Sequence, residues 1–198
     1  MQASASYPTL VASLWPASSE RKLTRNAVLA VLGSAFLALA SQVSVPMMPV
    51  PMTLQTFAVL TLGMAFGWRL ASATVVLYLL EALVGLPVLS GGKFGPLALF
   101  GTTGGYLIGF VFAAGLVGWL AEKGWDRGPL TTAFAMLLGN VVIYIPGLLW
   151  LGTVVGWDKP VLAWGLTPFI VGDLVKLALA TAILPVAWQV IRKLQAKM

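Results

Sequence analysis

The chain has 198 residues, of which 59% are hydrophobic and only 9% charged, and its formal net charge is +6. Because soluble domains carry about 25% charged residues, this composition excludes an ordinary soluble fold and predicts an integral membrane protein. The sequence has no histidine and no cysteine, so it lacks the commonest general base, the commonest metal ligands and the thiol nucleophile. We therefore expect neither an enzyme, nor a metal site, nor a bound cofactor.

Six apolar segments follow a polar N-terminal stretch and predict an all-α protein with six transmembrane helices. We place these helices at 26–45, 54–67, 70–86, 104–121, 130–151 and 168–191. A helix needs about 20 apolar residues to cross a bilayer, so the second segment is short for a span. The predicted organisation is a cytosolic or interfacial tail at 1–25, a six-helix domain at 26–191 and a basic cytosolic tail at 192–198.

The basic residues are distributed unequally between the two sides of this topology. Only Lys93 and Lys159 lie on one side, whereas nine lysines and arginines lie on the other, and Lys176 falls within a span. Cytoplasmic loops carry an excess of Lys and Arg, so both termini are predicted in the cytoplasm of a protein of the cell (inner) membrane. This placement accounts for the positive charge without a nucleic-acid partner. The nine residues are Arg21, Lys22, Arg25, Arg69, Lys123, Arg127, Arg192, Lys193 and Lys197.

Two external loops have unusual compositions. Residues 46–52 are rich in proline and methionine, and residues 88–103 contain four glycines. A glycine-rich loop of that length can act as a lid over a binding site, although it can equally be a plain connector. The sequence alone leaves both interpretations open.

Span six carries two ionisable residues, Asp173 and Lys176. An ionisable group within a span costs several kcal/mol and marks a candidate functional site. The i, i+3 spacing places both side chains on one helix face, where they either neutralise each other or share a ligand. A carboxylate beside an ammonium offers an acceptor for N–H groups and a donor for an anion, which favours a ligand clamp.

Polar residues of other spans are expected at the same depth as this pair, in the outer half of the bilayer. We predict an outward-opening pocket where they meet beneath the external loops, with Lys93 of the second loop as a further candidate. Tyrosines can instead belong to an interfacial belt, an asparagine can join two helices, and a glutamate can pair with Lys176 or Lys93. The pocket candidates are Gln55, Glu81, Tyr106, Asn140 and Tyr144.

Span one carries small residues at every fourth position, namely Ala30, Ser34 and Ala38. Small residues allow another helix to approach closely, either within the chain or from a partner protein. Gly92 and Lys93 resemble the end of a phosphate-binding loop, but Pro87 and Phe94 stand where that motif needs Gly and Ser or Thr. Any use of ATP would therefore require a partner.

Several runs of the sequence resemble the BioY family, the biotin-binding S components of energy-coupling factor (ECF) vitamin transporters. The resemblance rests on VPMTLQTF at 50–57, GLPV at 85–88, GGYLIGF at 104–110, PFIVGDLVK at 168–176, and Ile143, Tyr144, Gly147, Trp150 and Leu151. These motifs cover about residues 46–180, in the family's order.

The resemblance implies a six-helix S-component fold that captures biotin from outside and associates with a transmembrane coupling protein and two cytosolic ATPases. By resemblance, Asp173 and Lys176 match the family residues that hold the vitamin. The Ala30–Ser34–Ala38 stripe is similar to the surface that meets the coupling protein, with Ser34 as a departure. Thr102 and Val171 stand where proline is expected, which affects only local geometry.

Biotin uptake is therefore the predicted function, with biotin as a transported ligand and ATP used only by partner subunits. Biotin has an apolar bicycle, a ureido group with two N–H donors and a carbonyl, and an anionic tail, which suit Asp173 and Lys176. One alternative is an S component for another vitamin. Another is a proton-coupled carrier that uses Asp173 or Glu81 as a relay.

Overall fold

A computed structural model describes residues 7–195, and helices make up most of that part of the chain. Residues 1–6 of the predicted N-terminal tail, and residues 196–198 with Lys197, lie outside the described residues. The helices are α1 (Leu10–Leu14), α2 (Lys22–Gln42), α3 (Gln55–Phe66), α4 (Trp68–Leu83), α5 (Gly95–Leu99), α6 (Gly104–Ala121), α7 (Pro129–Val155), α8 (Val161–Gly165) and α9 (Phe169–Gln195).

The all-α membrane fold predicted from the apolar segments is confirmed, because each segment coincides with one of the six longest helices. Within residues 7–195, the helices α2, α6 and α7 and the C-terminal stretch that contains α9 are long and apolar enough to cross a membrane. The other two are shorter: α3 has 12 residues and α4 has 16. At 1.5 Å per residue, α3 is about 18 Å long, well below the bilayer's hydrocarbon thickness.

Gly67 separates α3 from α4 and accounts for their short lengths. Its φ of 79° is a left-handed conformation that favours glycine, so the chain reverses there with no further loop residue. At its other end α3 follows a small antiparallel hairpin, in which β1 (Ser44–Val45) pairs with β2 (Met52–Thr53). The proline- and methionine-rich loop thus forms the tip of a hairpin.

Helix α6 is the centre of the bundle and packs against α3, α4 and α7. Of its membrane-spanning window, 67% is buried, against 28–39% for the other candidate spans. Glycines allow this close packing: a Cβ at Gly109 would lie 2.9 Å from the backbone of Ile143 on α7. A Cβ at Gly118 would lie 2.5 Å from the backbone nitrogen of Trp68, so α6 also contacts the α3–α4 turn closely. The site lies at the opposite end of α6 from Gly118, where the helix begins at Gly104.

The opposite end of the bundle is closed by the N-terminal segment and the α6–α7 loop. The Arg127 guanidinium lies between the rings of Tyr7 and Trp188, at 4.4 and 4.3 Å. The Trp188 indole N–H donates to Asp126, which is fully buried. Burial raises the pKa of the Asp126 carboxyl from its ordinary value. These contacts join the N-terminal segment to α9.

The second external loop is more ordered than its glycine content predicts. Residues Ser90–Gly92 form a short 3₁₀ turn, and α5 follows directly. Leu89 and Lys93 pair across this turn, and the Leu89 N–H donates to the Lys93 carbonyl at 3.1 Å. We call residues 89–93 the 89–93 turn. It lies against α2 and forms part of the wall described next.

Candidate functional site

A cavity of about 500 Å³ lies at the end of the bundle where α3 and α6 begin. This volume is within the range of small-molecule sites, about 300–1,000 Å³. The first external loop, the 89–93 turn and α5 cover it, while α3, α6, α7 and α9 provide its other walls. Most of the lining surface is apolar, although polar residues also contribute to it from the loops and the helices. The apolar side chains that face it from the helices include Leu107, Phe110, Ile143 and Phe169.

The polar end of the cavity is built on the Asp173–Lys176 pair. The Lys176 ammonium lies 3.1 Å from Asp173 Oδ1 and donates to the Thr56 hydroxyl at 2.8 Å. The Tyr144 hydroxyl donates to the other carboxylate oxygen of Asp173, and Thr56 lies 3.4 Å from Oδ1. Helices α3, α7 and α9 therefore meet at this carboxylate.

The two charges of this pair are both largely withdrawn from solvent. The side chain of Lys176 is 12% exposed and that of Asp173 is 10% exposed. Lys176 lines the cavity, whereas Asp173 lies behind Lys176 and Tyr144 and does not contribute to the lining. An ammonium has three donors, and two of them are used by Asp173 and Thr56, so one N–H remains for a ligand. Because Tyr144 donates its proton to Asp173, its oxygen is an acceptor facing the cavity.

Tyr106 and Gln55, both predicted from the sequence, also line the cavity. The Tyr106 hydroxyl donates to the Gly165 carbonyl at 2.9 Å, and its ring meets that of Tyr144 edge to face at 6.1 Å. The Gln55 amide nitrogen donates to the Tyr78 hydroxyl at 2.8 Å. Both side chains are thereby fixed in place as walls of the cavity.

Lys93 lines the cavity from the 89–93 turn and is exposed to solvent. Across residues 7–195 it forms no hydrogen bond or ion pair through its ammonium. The cavity lining therefore includes an exposed, unpaired cation on the 89–93 turn and the buried ammonium of a neutralised ion pair on α9. An anionic group of a ligand meets uncompensated positive charge only at Lys93.

Asn140 and Glu81 do not line the cavity. Asn140 is buried one turn along α7 from Tyr144, and its Oδ1 atom accepts no hydrogen bond from the described residues. Glu81 is half-buried and accepts a hydrogen bond from the Ser34 hydroxyl at 2.9 Å. The structure thus brings Glu81 to the small-residue stripe of α2.

The small-residue stripe lies along the contact between α2 and α4. Ser34 is buried, and Ala30 and Ala38 are half-buried at the edges of the contact. A Cβ at the neighbouring Gly33 would lie 2.7 Å from the Thr74 side chain, so the two helices pack very closely. At Ser34 the stripe is used within the chain, which leaves Ala30 and Ala38 as the positions accessible to a partner helix.

Thr56 belongs to the site, although it is not among the residues predicted from the sequence. It contacts both members of the ion pair, yet it is an unremarkable threonine near the start of a predicted span. The sequence predicts its neighbour Gln55 from that residue's depth near the outer end of the second span. The only available signal was the position of Thr56 at the same depth as Gln55.

No group of three or more Asp, Glu, His or Cys residues within 7–195 could hold a metal ion. The site consists of a partly open cavity whose lining surface is mostly apolar and which contains hydrogen-bonding groups beside Lys176 and an exposed cation at Lys93. Such a site is suited to hold an amphiphilic small molecule.

Comparison with known proteins shows which fold this chain shares and which family it belongs to. A solved S-component for biotin from an ECF-type ABC transporter superposes with a TM-score of 0.67 at 23% identity, covering 91% of this chain and 95% of that one, which shows a shared fold. "Biotin transporter BioY" of Rhizobium etli is 38% identical over 168 residues, covering 79% of this chain and 89% of that protein. The protein of the same name from Thermotoga maritima is 34% identical over 164 residues, covering 80% and 93%. The BioY family model matches residues 9–193. The chain belongs to the BioY family, as its motifs predicted.

Proposed function

We propose that the chain is the substrate-capture (S) component of a biotin uptake system and that biotin occupies the cavity described above. The observation that carries the proposal is the cavity itself, whose lining includes a buried hydrogen-bonding group at Lys176 and an exposed, uncompensated cation at Lys93. Biotin likewise combines a polar ureido ring with an anionic tail. Membership of a family whose relatives are named biotin transporters supports this ligand.

At the far end of the cavity, the free N–H of Lys176 is placed to donate to the ureido carbonyl. The oxygens of Tyr144 and Thr56 can accept from the ureido N–H groups, because their partners Asp173 and Lys176 fix their orientation. In this arrangement Asp173 acts through its neighbours, as it orients Tyr144 and compensates the charge of Lys176. Burial of both charges is tolerated because they are paired.

At the mouth, the Lys93 ammonium is placed to meet the carboxylate of the biotin tail. Apolar side chains such as Phe110, Ile143 and Phe169 line the region between the two polar ends. They suit the bicycle and the hydrocarbon part of the tail, whose burial is favourable by about 25 cal/mol per Å². The proposed orientation is therefore ureido ring inward and carboxylate outward.

The proposal includes the sidedness and the partners predicted from the sequence. Both termini lie in the cytoplasm, the cavity opens to the outside of the cell (inner) membrane, and a coupling protein with two ATPases supplies the energy. The accessible edge of α2 at Ala30 and Ala38 is the proposed contact with the coupling protein. The chain itself performs no catalysis, in keeping with a family of transporters.

The test is equilibrium binding of labelled biotin to the purified chain in detergent, followed by competition with unlabelled biotin, thiamin and riboflavin. We expect saturable binding of one biotin per chain, displaced by biotin alone. Displacement by another vitamin, or no binding of biotin at all, would remove the proposal. Uptake that requires a proton gradient and no ATPase partner would favour the carrier alternative instead.

A further inference from the structure

The 89–93 turn is a closed unit that covers part of the cavity. The Leu89 N–H donates to the Lys93 carbonyl at 3.1 Å, and the Gly92 N–H donates to the Leu89 carbonyl at 3.0 Å. Leu89, Ser90 and Lys93 all contribute to the wall of the cavity. Because these internal bonds hold the turn together, its position over the cavity depends on how its first residues are attached to the bundle.

Three side chains provide that attachment. The Val88 carbonyl accepts a hydrogen bond from the Tyr78 hydroxyl on α4 at 2.8 Å, and the Ser41 hydroxyl on α2 lies at the same distance. The Leu89 carbonyl accepts from the Gln42 amide on α2 at 3.1 Å. Tyr78 and Ser41 are both fully buried. Two helices therefore hold the same end of the turn.

The attachment continues into the cavity through Gln55. Its amide nitrogen donates to the Tyr78 hydroxyl, which in turn donates to the Val88 carbonyl. Gln55 is a cavity wall residue, so an unbroken series of hydrogen bonds joins the ligand site to the covering turn. The Tyr78 hydroxyl forms no hydrogen bond within its own helix and instead connects the Gln55 amide to the Val88 carbonyl.

The chain on either side of the turn offers little resistance to movement. Gly85 and Gly95 have φ values of 105° and 81°, and nothing lies within 4 Å of where a Cβ would stand at either residue. Glycine passes between conformations at low cost, so these two positions can act as pivots. The side-chain hydrogen bonds, together with the burial of Leu89 and not packing at the pivots, then keep the turn in place.

We propose that Tyr78 and Ser41 are positioning residues that hold the 89–93 turn closed over the cavity and so control how often it opens. Given the proposed function, for which this inference supplies the gating step, opening of the turn sets how fast biotin enters and leaves. Neither residue touches the ligand, since neither lines the cavity. Their removal therefore changes rates more than equilibrium affinity.

The experiment compares Y78F, S41A and the double variant Y78F/S41A with the wild type. The matched control is T74V, which removes another fully buried hydroxyl from α4, one turn from Tyr78, that bonds only the Leu70 carbonyl of its own helix. The first readout is amide hydrogen exchange of a peptide covering residues 86–94 without any ligand. We expect exchange to be about fivefold faster in each single variant, since one hydrogen bond contributes about 1 kcal/mol.

The second readout is the association and dissociation rates of labelled biotin. We expect both rates to rise about fivefold in each single variant, with less than a twofold change in Kd and none in T74V. Loss of a direct ligand contact would instead raise only the dissociation rate, and misfolding would lower the number of sites with unchanged rates. Either result in both single variants, or unchanged exchange in both of them, overturns the inference.

The two readouts also separate this inference from the proposed function. If the wild type binds no biotin, the proposed function fails, whereas the exchange measurement still reports on the attachment of the turn. If biotin binds and exchange in the 86–94 peptide does not respond to any of the variants, only the present inference fails. A Y78F chain that does not fold leaves S41A to decide, because Ser41 reaches the same carbonyl from a different helix.

Discussion

Replacement of Asp173 by Asn is the most informative single change in the site. The substitution keeps the size of the side chain and removes the negative charge that Lys176, Tyr144 and Thr56 share. Asp173 orients Tyr144 and Lys176, each of which is proposed to form a hydrogen bond with biotin. Such bonds contribute about 1 kcal/mol when both groups are neutral and about 1.5–3 kcal/mol when one is charged, so loss of both is expected to lower biotin affinity about 100-fold. Asp158→Asn is the matched control, since that carboxylate is 73% exposed and pairs only with its neighbour Lys159.

The same change also reduces stability, because it leaves the ammonium of Lys176 buried without its partner. Removal of one member of a buried pair costs about 3–5 kcal/mol, whereas replacement of both by apolar groups is often neutral. We therefore expect a lower Tm for D173N and K176M, and a Tm near that of the wild type for D173L/K176M. Biotin binding should remain lost in all three variants.

The assay is equilibrium dialysis with labelled biotin, run beside thermal unfolding of each variant in the same detergent. Recovery of Tm without recovery of binding in the double variant separates the two roles of the pair. If D173N and K176M each bind biotin within about threefold of the wild type, the pair serves only to neutralise itself. The proposed ureido site would then be refuted.

Three further changes test other parts of the account. K93Q should weaken the binding of biotin about fivefold, because an exposed charge pair contributes about 1 kcal/mol. Binding of the neutral biotin amide should be unaffected. An equal loss of affinity for both ligands would contradict the proposal that the carboxylate points outward. Burial raises the pKa of Asp126 above 3.8, so its contribution to stability is full below that pH and declines as the pH rises through the raised value. The Tm of D126N relative to wild type should thus rise from pH 4 to pH 7, and a flat difference would contradict the burial. G147A places a Cβ against the Tyr106 ring, and we expect it to destabilise the chain by about 1–3 kcal/mol and weaken biotin, as measured by unfolding and dialysis.

The helices could be predicted from the sequence because a long run of apolar residues directly indicates a segment that lies in the lipid bilayer. The Asp173–Lys176 contact was also accessible, since an i, i+3 spacing on any helix brings two side chains together. Tyr144 could be predicted as a site residue from its depth along span five, and its hydroxyl donates a hydrogen bond to Asp173. These inferences use only the rise per residue and the number of residues per turn of an α-helix.

The rotation of each helix about its axis could not be predicted, and this decides which polar residues face the cavity. Gln55 and Thr56 are adjacent, and only the packed bundle shows that both reach it, with Thr56 on the ion pair. Glu81 lies at a suitable depth but turns toward Ser34, because the close α2–α4 contact brings that hydroxyl beside it. Asn140 likewise lies at a suitable depth without lining the cavity.

The most direct measurement is an experimental structure of the chain with biotin bound. The account predicts density for the vitamin in the cavity, with the ureido carbonyl within hydrogen-bond distance of Lys176 Nζ and the carboxylate beside Lys93. Biotin located elsewhere on the molecule would contradict the central claim, and so would a reversed molecule with its carboxylate against Lys176.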